Sequence, residues 1–363
     1  MGLEGWSMTR LGVVMSSDEN DPAEAWGVLN PGSARDGNGD LLLFPRIVAE
    51  GNYSRIGRAR VLFDDEGTPV GVERLGVALE PDELWERNAR TAGVEDPRIT
   101  YIDELGIFVM TYAAYGPITP RIGLAVSNDL EKWRRLGPAL FAYDPDLRVD
   151  LNLYANKDSA FFPEPVRAPD GRLALAMLHR PAWDLSKFSI DGGAAVPDGI
   201  DDPRPGIWVS FVDLEDARAD IGSLAHFSSH RPVAMPEQDW ESLKIGAGPP
   251  PVKRPEGWLL LYHGVQGELI EGTDHQPNVC YSAGAMLLDA DDVTHVLTRS
   301  TTPVLEPETL EEREGIVSNV VFPTAIDIRS ETAIDVYYGM ADSRIGVGRL
   351  ITRDRGGKNN MRP

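Results

Sequence analysis

Cys280 is the only cysteine in the 363 residues, so no disulfide can form within the chain. A lone thiol fits a reducing compartment, and the expected location is cytoplasmic. Histidine is scarce as well. The six His residues are scattered along the chain, so neither a metal site nor a bound cofactor is expected. Long apolar runs are missing. The stretch Leu11 to Met15 is too short for a signal-peptide core, and nothing approaches the ~20 apolar residues of a membrane span. Positive charge is in deficit, with 35 Lys and Arg against 57 Asp and Glu and a net charge of −22. That balance excludes a general nucleic-acid or anionic-membrane binder. An anionic ligand would need a local basic pocket against this field, so individual Lys and Arg positions carry information. The chain also lacks a P-loop, a dinucleotide-binding glycine pattern and a Gly-x-Ser-x-Gly elbow.

What is present is a series of short apolar runs between turn residues. Asp40 to Ile47, Ile107 to Tyr112, Leu173 to Leu178, Ile207 to Val212, Trp258 to Tyr262 and Ala333 to Tyr338 are examples. Each has the length of a strand, about 5–8 residues, and is rich in Val, Ile, Leu and aromatics. Helical periodicity is nearly absent, apart from one short piece at Pro81 to Arg90. The chain is therefore all-β. A weak repeat runs through it, in which a strand ends on an Asp-led turn, at Asp129, Asp213 and Asp289. Recurrent strand units in one long chain suggest a β-propeller. A two-sheet sandwich would explain the strands but not the recurring turn. Residues 1–38 are polar and turn-rich and read as an extension packed on the propeller. Residues 39–350 read as one catalytic domain, 351–363 as a polar tail, and Lys187 to Arg204 as a loop insertion.

The most informative segment is Gly93-Val94-Glu95-Asp96-Pro97-Arg98. Two carboxylates stand at the mouth of a strand beside an arginine. Pro97 forbids a helix and pushes Asp96 toward extended backbone. Strand alternation then lets only one of Glu95 and Asp96 point into a shared pocket. The acid/base reading competes with a structural turn in which Asp96 caps backbone N–H groups and Arg98 pairs with Glu95. Four other segments end strands with polar residues. They are Asn156-Lys157-Asp158, His179-Arg180-Pro181, Gly246 to Lys253, and Tyr262-His263-Gly264. Singly, Lys157 and Lys253 read as solvated lysines, Arg180 as half of a surface ion pair, and His263 as a buried hydrogen-bonding residue. Jointly, in different repeats of a propeller, they converge on one face and form an anion pocket for phosphate or carboxylate. The Pro249-Pro250-Pro251 run favours a preformed pocket.

Taken in order, Glu95-Asp96-Pro97-Arg98, Asn156-Lys157-Asp158, Phe162-Pro163-Glu164, His179-Arg180-Pro181, Gly246 to Lys253, Tyr262-His263-Gly264 and Tyr338-Gly339-Met340-Ala341-Asp342 resemble glycoside hydrolase family 130. The resemblance spans about Asn52 to Ile345. It implies a five-bladed β-propeller acting on β-mannosides with inversion, most members being phosphorylases that form α-mannose 1-phosphate and a minority hydrolases. By the same resemblance Asp96 is the general acid, delivering its proton through the 3-hydroxyl of the bound mannose. Lys157, Arg180, Lys253 and His263 fall at phosphate positions. Arg55, Arg98, Asn156, Asp158, Tyr262 and Asp342 fall at sugar positions. The implied partners are a small carbohydrate and inorganic phosphate as co-substrate, and a homo-oligomer is an expectation. Retention of the cations favours phosphorolysis, because phosphate is already a nucleophile and needs only to be held, whereas a hydrolase needs a second carboxylate as base. The alternatives are an inverting β-1,2-mannosidase, a non-catalytic glycan-binding propeller and a five-bladed furanosidase.

Overall fold

Apolar runs in this chain become strands that bury both faces, and the architecture follows from that. A computed structural model describes residues 6–87, 93–183, 196–270 and 276–352. Within Leu41–Ala49, Leu41 and Leu43 enter one core while Leu42 and Phe44 enter the next. Within Gly257–Gly267, Leu260 and Tyr262 face one core, and Leu259 and Leu261 face another. Successive strand side chains point to opposite faces. Each sheet is thus sandwiched between two cores, and each fully buried Leu, Val or Phe contributes about 1.5–3 kcal/mol.

Five sheets arranged in this way form a five-bladed β-propeller. Blade 1 runs outward through Gly27–Arg35, Leu41–Ala49, Tyr53–Phe63 and Pro69–Leu79. Blade 2 comprises Val94–Ile102, Ile107–Tyr115, Pro120–Ser127 and Arg134–Pro138. Blade 3 has Ala155–Phe161, Leu173–Ala182, Ile207–Asp213 and His226–Ala234, with two short added strands. Blade 4 has Lys244–Ala247, Gly257–Gly267, Val279–Leu288 and Val296–Arg299, with Val252–Arg254 beside them. Blade 5 has Val321–Ser330, Ala333–Met340 and Arg344–Ile351, and its outer strand is Ser7–Met15 from the other end of the chain.

That closure differs from the reading of residues 1–38 as an extension. The described part of that stretch supplies the outer strand of blade 5 and the inner strand of blade 1. Within that turn-rich stretch, Pro31-Gly32 falls at a bulge inside a strand. The Asp-led repeat marks the third strands of blades 2, 3 and 4. Asp129, Asp213 and Asp289 each accept backbone N–H groups two and three residues ahead. Asp64 closes the third strand of blade 1 in a similar way. The helical piece at Pro81 to Arg90 is a single turn over Leu84–Glu86, and residues 88–90 lie outside the described residues. So do residues 184–195 of the insertion and 353–363 of the tail.

In three blades a buried polar clasp joins the second and fourth strands through a glutamate on the segment that leads into the first. In blade 2 the Tyr112 hydroxyl donates to Glu86 at 2.7 Å, and Arg135 Nε donates to the same carboxylate at 2.8 Å. In blade 4 Tyr262 and Arg299 hold Glu241 at 2.7 and 2.6 Å. In blade 5 Tyr338 and Arg10 hold Glu312, each at 2.9 Å. Opposite each tyrosine on the third strand stands a glycine, Gly123, Gly284 or Gly346. A Cβ on Gly284 would lie 2.5 Å from Tyr262 Cζ, so the ring needs that gap. Blade 1 keeps only the Glu24–Arg74 pair. Blade 3 replaces the clasp with an uncharged column, in which Asn156, His179, Ser210 and His230 link to the Ala142 carbonyl at 3.1, 2.7, 2.8 and 2.8 Å.

Candidate active site

The inner strands of blades 1, 2 and 3 share one irregularity. Between Leu29 and Gly32, Glu95 and Arg98, and Lys157 and Ala160, three steps on the inner strand face two on its neighbour. Each bulge holds one residue in the left-handed region: Asn30 at φ 43°, Asp96 at φ 50° and Asp158 at φ 53°. Asn and Asp tolerate this conformation better than other side chains. A bulge resets the alternation of the strand and re-aims its side chains. The alternation argument therefore fails here, because Glu95 and Asp96 both line the central cavity, as do Lys157 and Asp158.

That cavity has a volume of about 200 Å³ and draws its walls from all five blades. Its carboxylate end is organised by Arg46. This guanidinium lies 2.9 Å from Glu95 and 3.6 Å from Asp96, and it donates to Ser54 at 3.0 Å and Asn52 at 3.1 Å. Asn30 donates to Asp96 Oδ1 at 2.9 Å. Asp342 completes this end. Burial raises the Glu95 carboxyl above its ordinary range, with Arg46 and Lys157 opposing. Burial also pushes Asp342 up to about 6; Arg46 opposes the rise, and the neighbouring Asp96 and Glu95 add to it.

The other end is cationic. Lys157 donates to the Tyr115 hydroxyl at 2.7 Å. Burial works against its charge, but Tyr115 and Glu95 outweigh that and hold it above the usual lysine range. Arg180 Nε donates to Asp158 at 2.5 Å, and His263 Nε2 lies 3.5 Å from the same carboxylate. Burial disfavours the Asp158 charge, but Arg180, His263 and Arg98 more than reverse this and hold it well below the carboxylate range. Burial, reinforced by Arg180, Lys244 and Arg98, lowers His263 to about 3, so the imidazole is neutral. Gly246 makes room here, since a Cβ would collide with Asp158 Oδ2 and with the His263 ring.

The structure thus brings together Asp96, Lys157, Asp158, Arg180, His263 and Asp342 from the expected set. Five others stand elsewhere. Lys253 is exposed, with its ammonium 4.3 Å from the Trp258 ring centroid. It pairs with Trp258, whereas the cavity end of that strand is at His263, about 17 Å farther along at ~3.3 Å per residue. The proline run carries the lysine away from the cavity. Arg55 lies 3.3 Å from Glu80 and stacks on Tyr53. Arg98 is buried behind the wall, where it donates to the Asp96 carbonyl at 2.6 Å and to the Gly248 carbonyl at 3.3 Å. It braces the bulge. Asn156 turns into blade 3 toward His179, and Tyr262 belongs to the blade 4 clasp.

Sequence reasoning missed Asn30, Arg46, Tyr115, Lys244 and Tyr281, all of which line the cavity. Arg46 could have been found by analogy. It occupies on blade 1 the register position that Arg180 and His263 occupy on blades 3 and 4, opposite the inner strand. Lys244 is two residues before Gly246 and shares its strand face.

Several known proteins are similar to this chain over most of its length. A 1,2-beta-oligomannan phosphorylase from Thermoanaerobacter sp. (strain X514) is 31% identical over 357 residues, covering 94% of this chain and 95% of its own. A beta-1,2-mannobiose phosphorylase from the same organism is 33% identical over 271 residues, covering 74% of this chain and 67% of its own. Among solved structures, the beta-1,2-mannobiose phosphorylase of Listeria innocua in complex with beta-1,2-mannobiose superposes with a TM-score of 0.68 at 23% identity. The match covers 95% of this chain and 97% of that one. The family model described as beta-1,4-mannooligosaccharide phosphorylase matches residues 8–354. A match that begins in the closing strand and runs past the end of blade 5 leaves no blade outside it, and the chain belongs to glycoside hydrolase family 130, a family of mannoside phosphorylases that also contains glycoside hydrolases.

Proposed function

We propose that this enzyme catalyses the inverting phosphorolysis of β-mannosides, β-1,2-linked ones in particular, to α-mannose 1-phosphate. The observation that carries the reading is the two-ended charge of one small cavity. Glu95, Asp96 and Asp342 gather around Arg46 at one end, and Lys157, Arg180 and Lys244 gather at the other. Asp96 is the general acid toward the leaving oxygen. Asn30 and Arg46 orient its carboxylate, and Arg98 fixes its backbone. The three cations hold inorganic phosphate as the attacking nucleophile, so the gain comes from positioning and from electrostatics in a dry site. Asp342 and Asn52 stand where sugar hydroxyls would be held. The reaction needs phosphate as co-substrate and no further cofactor.

An inverting hydrolase would need a free carboxylate to activate water on the phosphate side. Asp158 is the carboxylate there, and it is already committed to Arg180, His263 and Arg98. The β-1,2 preference is supported by the two Thermoanaerobacter relatives, both named as phosphorylases of β-1,2-linked mannosides.

Incubation with β-1,2- and β-1,4-linked manno-oligosaccharides, with and without phosphate, tests the reading. Phosphate-dependent α-mannose 1-phosphate, released faster from β-1,2 substrates, is expected. Free mannose formed equally well without phosphate would make the enzyme a hydrolase, and saccharide binding without cleavage would make it a glycan-binding propeller. Asp96→Asn should lower turnover by at least about a thousandfold while leaving the thermal midpoint within a few degrees.

A further inference from the structure

The cation end holds more positive side chains than it has carboxylates to pair with them. Lys157 is satisfied by the Tyr115 hydroxyl, and Arg180 by Asp158. Lys244 makes no salt bridge among the described residues. Its ammonium lies 5.5 Å from the centroid of the Tyr281 ring, across blade 4. The charged groups that face it are Arg180 and Lys157 as cations and Asp158 and Asp342 as carboxylates. His263 beside it is neutral, and Tyr281 keeps its phenolic proton because burial and the nearby Asp342 raise its acid range. Asp158 already serves three partners, and Asp342 belongs to the Arg46 end of the cavity. Lys244 is therefore a lysine in a cavity wall with no carboxylate of its own, and the two cations and two carboxylates near it cancel. Such a group loses its proton easily and recovers it when an anion arrives. Burial, then Arg180, lowers its ammonium to about 7, in keeping with this placement.

We propose that Lys244 stands neutral in the free enzyme on the alkaline side of neutrality and takes up one solvent proton when a phosphate dianion settles between it, Arg180 and Lys157. The inference rests on the phosphorolysis reading. The proton balance is simple: the lysine amine and one proton from solvent become an ammonium, and the phosphate keeps its charge. Phosphate capture is then strongest near neutral pH, because at lower pH the free phosphate takes up the proton itself and the dianion grows scarce. Above it, apparent phosphate affinity falls by up to about tenfold per pH unit, because the bound form holds a proton that the free form lacks. An arginine at this position keeps its charge throughout that range and removes the coupling.

The test is calorimetric titration of inorganic phosphate into the full chain near pH ~8, repeated in buffers of different ionisation enthalpy, where phosphate is mostly dianionic. The wild type should take up close to one proton per phosphate bound, and Lys244→Arg should bind phosphate with almost none. Binding without proton uptake in the wild type, or full uptake retained in Lys244→Arg, would overturn the coupling. If Lys244→Arg loses the site altogether, ¹³C-lysine spectra of the wild type decide. A Cε signal absent from the variant should titrate near neutrality and move to the charged position on adding phosphate, and a signal already charged at pH ~8 sinks the proposal. Failure of the wild type to bind phosphate at all would instead sink the phosphorolysis reading.

Discussion

Lys244 and Lys253 belong to one short segment, and packing alone separates their roles. Lys244 meets the cavity, whereas Lys253 lies over Trp258 in solvent. Replacing Lys244 by Met should raise the KM for phosphate by about 10- to 100-fold, the worth of one lost hydrogen bond to a charged group, with a smaller change in the KM for the sugar. Lys253→Ala should leave both unchanged, and initial-rate kinetics with each substrate varied would check the pair. Asp342 permits a prediction of sign. Its ordinary value is 3.8, and in the folded protein it is raised to about 6. Between those values the folded state holds the proton more tightly than the unfolded chain. The contribution to stability is therefore present below pH 3.8 and lost as pH rises through about 6. Allowing for partial exposure, Asp342→Asn should gain on the order of 1–2 kcal/mol relative to the wild type between pH ~4 and ~7, at the expense of sugar binding. Urea denaturation of both proteins at the two pH values measures the difference.

At the level of the element, two devices recur around the ring. The bulges of blades 1 to 3 aim Asn30, Asp96 and Asp158 at the axis, and the Glu–Tyr–Arg clasps of blades 2, 4 and 5 tie second to fourth strands. Gly284→Ala tests the second device. Its Cβ would press on the Tyr262 ring and pull the hydroxyl off Glu241. Overpacking plus a strained buried hydrogen bond should cost about 2–4 kcal/mol, read as a lowered thermal midpoint. Activity at low temperature should survive, because Tyr262 does not line the cavity. Neither device was legible in the sequence. The strand runs were, since burial on both faces writes itself as continuous apolar stretches. The bulges were not, because Asn30-Pro31-Gly32 and Asp96-Pro97 look like turns or strand ends when the pairing partner is unknown. The clasp joins residues far apart in the chain, as Arg10 and Glu312 show, and no local pattern announces it.

For the molecule as a whole, closure decides integrity. The strand Ser7–Met15 is the outer edge of blade 5, and it carries the Arg10 that holds Glu312. Without it, Val14 and Met15 leave the core between blades 5 and 1, and Arg344–Ile351 becomes an open edge. A chain beginning at residue 16 should lose several kcal/mol, because each buried Val or Met contributes about 1.5–3 kcal/mol and the clasp is broken as well. Calorimetry should show a broadened or earlier transition, with activity falling alongside it, since Asp342 and Phe322 of blade 5 line the cavity. The sequence by itself determined the all-β class and the Asp-led repeat, and its motifs, through their family resemblance, singled out Asp96, Lys157, Arg180, His263 and Asp342, which the fold brings to one cavity. These are properties of residue type and spacing within single segments. Only the tertiary structure decided that both Glu95 and Asp96 reach the cavity, that Lys244 rather than Lys253 completes its cation end, and that Arg46 sits between the carboxylates. Those facts depend on register, bulges and the meeting of five blades on one axis, where residues from distant segments set one another's charge.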